Sequence, residues 1–108
     1  MAPDANAQGA LTEGVYFILV SMLQPRHGYA VMQYIAELTG GRLNLGAGTL
    51  YGAINTLLEK GWIRALPSAE DSRQKRYVIT AAGRRVLQCE IARLQQLVTI
   101  GQEEIEAK

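Results

Sequence analysis

Apolar residues recur at helical spacing four times along this chain, and between the third and fourth run two short stretches of branched and aromatic residues flank a charged link. Leu11, Val15, Ile18, Leu19 and Met22 keep the helical period while Tyr16, Phe17 and Val20 fill the other side. This predicts a helix over Leu11–Leu23 buried on more than one face. Gln24 and Pro25 end it, because proline disfavours helical backbone in the residue before it. A second helix over Gly28–Leu38 turns Val31, Ile35 and Leu38 inward, and the pair Gly40 and Gly41 supplies the backbone freedom to stop it. In the third run Leu50, Ile54, Leu57 and Leu58 form one inward face of a helix over Gly48–Lys60, which Gly61 closes. WIRALPS and KRYVIT, joined by AEDSRQ, predict a β-hairpin with a charged tip. Thr80 then N-caps a long helix over Ala81–Lys108. There Leu87, Ile91, Leu94, Val98 and Ile105 alternate at spacings of four and three, broken only at Gly101, as in a helix that packs on another helix. Met1–Gly9 is small, polar and without period, and reads as a disordered lead-in.

The third helix is unusual on its outer side, which carries Gly48, Gly52, Asn55, Thr56 and Glu59 with Thr49 and Tyr51 on the flanks. No large apolar residue stands there. A glycine in an exposed helix costs about 1 kcal/mol relative to alanine, so two of them point to close approach of something to the backbone. Charge adds a second asymmetry: Lys60–Arg85 holds seven cations against two carboxylates, although the whole chain is only +1. With 108 residues and 48% hydrophobic content, the chain makes one domain with a small core.

Two helices, a short connection, a third helix and a basic hairpin follow the order of a winged helix-turn-helix, whose last helix lies in the DNA major groove. That groove is about 12 Å wide and admits a helix whose outer face is small or hydrogen-bonding. The bare face of the third helix fits it. The fold class is therefore mainly α with a small β-hairpin. Residues 10–80 form the DNA-binding unit and residues 81–108 a C-terminal dimerisation helix. Asn55 and Thr56 are the expected base contacts, with Gly48 and Gly52 allowing the approach. Arg73, Lys75 and Arg76 on the wing are expected on phosphate or in the minor groove. The apolar stripe of the long helix exceeds what so small a core can cover. An obligate homodimer is expected, with Val15, Leu19 and Met22 of the first helix buried between subunits against Leu87, Ile91, Leu94 and Val98.

Over Leu11–Leu94 the chain also resembles the PadR-like transcriptional regulators. The resemblance rests on RHGYAV at Arg26–Val31, on LTGGRLNLGAGTLYGAINTLLEKGWI at Leu38–Ile63 with its Gly-Thr-Leu-Tyr motif, and on KRYVITAAGRRVL at Lys75–Leu87. It implies a dimeric DNA-binding repressor, often relieved by a small molecule, and places Thr49 and Tyr51 on phosphate. One C-terminal helix in place of a multi-helix extension is similar to the smaller members. The wing tip EDSRQKR lacks the glycine-rich turn of many relatives, and the sole tryptophan, Trp62, begins the hairpin while the long helix has no aromatic residue. Ring stacking of a drug on that helix is accordingly not expected here.

An enzyme needs a nucleophile with a base, a carboxylate pair in a cleft or a metal constellation, and the sequence presents none. His27 reads as a structural histidine at a helix start, and Cys89, off the Leu87 and Ile91 seam, as a bystander thiol. Neither a cofactor nor a metal is expected. The apolar core Val15–Leu23 is too short to span a bilayer, and no signal peptide is legible, so the expected setting is the cytoplasm. The competing reading is a winged helix that binds protein and not DNA.

Overall fold

The computed structural model describes residues 9–67 and 75–107. Met1–Gln8 of the expected lead-in and Arg73 of the wing tip lie outside the described residues. Helix α1 spans Glu13–Ser21, strand β1 Arg26–His27, helix α2 Gly28–Leu38 and helix α3 Ala47–Lys60. Strands β2 (Ile63–Leu66) and β3 (Arg76–Ile79) and helix α4 (Ala81–Glu106) complete the chain.

Local chemistry sets each boundary. Thr12 Oγ1 accepts the Val15 N–H and starts α1 two residues later than the apolar pattern alone predicts. Gly40 and Gly41 sit at φ 61° and 82°, where Gly41 N–H donates to Ala36 O and Gly40 N–H to Glu37 O, the paired bonds that satisfy the last carbonyls of α2. At the end of α3 the same pair recurs around Gly61, from Trp62 N–H to Leu57 O and from Gly61 N–H to Leu58 O. Thr80 caps α4 by accepting the Gly83 N–H at 3.1 Å, and its own hydroxyl donates to Gly61 O at 2.6 Å.

The sheet has three antiparallel strands in the order β1-β3-β2, so the expected two-stranded hairpin gains a strand. Two residues are too few for a period, which is why β1 was not legible. Arg26 pairs with Tyr77 and His27 with Arg76, while Arg64 lies opposite Val78 and Leu66 opposite Arg76. Arg26 is held from both ends: its guanidinium donates to Ser21 O at 2.7 Å and lies 3.8 Å from the Tyr34 ring centroid.

Ile18, Leu19 and Met22 of α1, Val31 and Ile35 of α2, and Leu50, Ile54 and Leu57 of α3 form the buried centre, closed by Ile63, Ile79, Val86 and Leu87. This corrects part of the expected subunit interface. Leu19 and Met22 are fully enclosed within the protomer and Leu87 is 3% exposed, so all three are core residues and none is free to meet a second copy. Tyr16, Phe17 and Val20, only half-buried, take the other side of α1.

At its start α4 is clamped. A Cβ on Gly83 would run into the Trp62 carbonyl oxygen and stand 2.9 Å from Ile79 Cγ1, so only glycine lets the helix approach the hairpin this closely. Further along, Glu90 is 5% exposed and receives Arg93 Nε at 2.8 Å, a second guanidinium nitrogen at 2.7 Å and the Leu11 N–H at 3.3 Å. From Gln95 onward every described residue of α4 is exposed, and the molecule measures 60 × 33 × 20 Å. The second half of the helix leaves the body.

Candidate nucleic-acid interface

Helix α3 presents two different sides because its period places Leu50, Ile54 and Leu57 inward, at 2% exposure or less, and leaves Gly48, Gly52, Asn55 and Glu59 outside. A Cβ built on Gly48 or Gly52 meets nothing within 4 Å. Nothing in the protomer requires these glycines.

The flanks differ. On one, the Tyr51 ring lies over Gly28, where an added Cβ would stand 2.7 Å from the phenol oxygen and 2.9 Å from two ring carbons. The HGY and GTLY segments thus meet in space, and the contact holds Tyr51 with 43% of its surface exposed. Burial, then the nearby Tyr51, push the Tyr77 phenol above its ordinary value. On the other flank Thr49 and Thr56 are exposed, and the Thr56 hydroxyl donates to Gly52 O at 3.2 Å, which leaves its lone pairs for an outside donor. Asn55 and Thr56 therefore face different neighbours: Asn55 lies on the side of Tyr51 and the sheet, Thr56 on the side of the α1 start.

Lys75 and Arg76 are exposed at the start of β3, and the His27 ring is fixed there with Nδ1 3.3 Å from the Lys75 carbonyl oxygen. Alternation along the strands puts Arg64 on the same sheet face as Arg76 and His27. Arg64 belongs to the basic segment, but the cross-strand register was needed to place it with Arg76. Ahead of α3, Arg42 forms a two-pronged ion pair with Glu13, whose carboxyl is held below its ordinary value by that hydrogen bond. Among the described residues no cluster of His, Cys, Asp or Glu could hold a metal ion, and no helix is long and apolar enough to cross a membrane.

On α4, Ile91 is 37% and Val98 56% exposed, and a groove of about 560 Å³ runs between them, Leu94 and Tyr16 of α1. Leu97 and Ile100 widen the apolar surface beyond the four-and-three seam. They sit beside that seam, so the heptad spacing did not select them.

Three helices, a three-stranded sheet with a basic outer face and an exposed third helix define a winged helix-turn-helix protein. Solved structures of transcriptional regulators share the fold. A transcriptional regulator from Clostridium thermocellum superposes with a TM-score of 0.73 at 21% identity, over 82% of this chain and 89% of that one. A PadR family transcriptional regulator from Eggerthella lenta gives 0.73 at 24% identity, over 87% and 82%. In sequence the chain is 40% identical over 73 residues to an uncharacterized 37.1 kDa protein in transposon TN4556 of Streptomyces fradiae, covering 68% of this chain and only 20% of that protein. The profile of the transcriptional regulator PadR-like family matches residues 18–89. The chain belongs to the PadR-like family of transcriptional regulators.

Proposed function

We propose that the protein is a sequence-specific, homodimeric repressor of the cytoplasm that docks α3 in the major groove of a pseudo-palindromic operator and is released by a small-molecule effector. The observation that carries this reading is the bare outer face of α3, where Gly48 and Gly52 stay unfilled although an alanine Cβ at either meets no atom of the protomer within 4 Å. Asn55 and Thr56 read bases, Thr49 and Tyr51 hold phosphate, and Arg73, Lys75 and Arg76 contact phosphate or the minor groove. The dimer uses what the core leaves uncovered: Tyr16 of α1 with Ile91, Leu94 and Val98 of α4, and Val15, half-buried in the protomer, at the margin. Half-sites then lie about 34–36 Å apart, one helical turn of DNA.

A gel-shift titration against the chain's own upstream region tests it. Asn55→Ala and Thr56→Ala are each expected to cost about 1–3 kcal/mol and to relax base preference at one position. If the double variant keeps both affinity and preference, the docking face is wrong; if the wild type binds no DNA, a protein-binding winged helix takes its place.

A further inference from the structure

A cavity of about 280 Å³ lies between the start of α1 and the second half of α3, and meets the outer face of α3 at Thr56. Leu11 and Val15 wall it on one side, Ala53 and Leu57 on the other, and Trp62 closes one end. The only charged group among its described lining residues is Lys60, whose ammonium stands 4.9 Å from the Trp62 ring centroid. No carboxylate lines it. Two threonine hydroxyls also line it, Thr56 donating to Gly52 O and Thr12 accepting from Val15 N–H, and both are neutral.

From this arrangement we infer that the cavity is a binding site for a small organic monoanion with an apolar body, its hydrocarbon between α1 and α3 and its charge on Lys60. Size and charge both select that class. The volume lies just below the usual range of about 300–1,000 Å³ for ligand pockets, which favours a short acyl chain or a small ring system over a drug-sized molecule. A lone cation at an apolar mouth rewards one negative charge and gives a second no partner.

The site bears on regulation if the function proposed above holds, since α3 forms one wall. The other wall is tied to α4 through the Leu11 N–H on Glu90. An occupant therefore touches both the groove-facing helix and the segment fastened to the long helix.

Trp62 is the only tryptophan, so its emission reports the cavity directly and without DNA. The full chain is titrated with sodium octanoate and, separately, with octan-1-ol. A saturable change in emission is expected, with octanoate bound about two- to fivefold more tightly than the alcohol, the reach of one exposed ion pair. Lys60→Gln, a surface change that leaves the core intact, should abolish that preference and keep alcohol binding. Ala53→Met, which fills the cavity, should abolish both. An unresponsive wild type, as when the chain's own start or a second copy already fills the space, overturns the proposal. So does an anion preference that survives Lys60→Gln. A chain that bound octanoate in this way but no DNA would refute the function proposed above and leave this site standing.

Discussion

Replacing Gly48 and Gly52 together by alanine separates folding from binding. Both positions lie inside α3, and a Cβ at either meets no atom within 4 Å, so the methyl groups bring no steric cost to the protomer. Alanine exceeds glycine in helix interiors by about 1 kcal/mol per residue, in full at Gly52 and in part at Gly48 in the first turn, which makes the double variant about 1–2 kcal/mol more stable. For a domain of this size each kcal/mol moves the melting midpoint by about 4–8 °C, so a rise on the order of 10 °C is expected at fixed protomer concentration. Operator affinity should move the other way. Two methyls placed where the groove wall approaches the backbone act as overpacking, at about 1–3 kcal/mol, or roughly fivefold to 150-fold in Kd. Circular dichroism melts and fluorescence anisotropy on the same preparations give both numbers. A variant that is more stable and binds DNA as well as the wild type would refute the reasoning, because the glycines would then be an unoptimised surface. A less stable variant would refute the geometry of α3 itself.

Gly83→Ala, the same chemical change in α4, should lower stability by about 1–3 kcal/mol, since the Trp62 carbonyl cannot yield without losing its bond from Thr80 N–H; a reduced urea midpoint at unchanged slope is the expected readout. Hydrogen bonds from Arg93 hold the Glu90 carboxyl below its ordinary value, so its contribution is complete above the ordinary glutamate range and is lost as pH falls through the depressed folded value. Glu90→Gln should therefore flatten the acid limb of a stability–pH curve and leave the alkaline limb unchanged. Alanine at Arg73, Lys75 and Arg76 together should reduce the slope of log affinity against log salt by about 0.9 for each phosphate contact removed, and an unchanged slope would take the wing off the DNA. Val98→Glu, at a position 56% exposed in the protomer, should fold and yet sediment as a monomer if α4 is the subunit interface.

The residues that ended elements were legible because their chemistry is local. Thr80, Gly61 and the Gly40–Gly41 pair each act through one or two backbone bonds, and the boundaries of α2 and α3 fall at or within one residue of where those residues place them. The direction in which α1 faces was not legible. Apolar residues surround it, so nothing in the spacing says which side meets the protomer's own core: Leu19 and Met22, expected between subunits, are fully buried in it, while Tyr16 and Val20 pack against its edge half-buried. The role of Gly83 was not legible, because the room it makes for the Trp62 carbonyl depends on how the hairpin folds back. At the interface, the composition of the outer face of α3 was readable from period alone, whereas the split between Asn55 and Thr56 needed the neighbours on each flank.

The contact between Gly28 and Tyr51 bears on how loss-of-function data from this protein should be interpreted. Alanine at position 28 would press on the outer end of an exposed, movable ring and not on backbone, so the fold has room to yield and the tyrosine swings aside. Such a variant would express and melt normally while losing whatever Tyr51 holds. If Tyr51 holds DNA as proposed, a survey of binding-defective alleles would then flag Gly28 as though it touched the DNA itself, when its role is to leave a seat for the tyrosine.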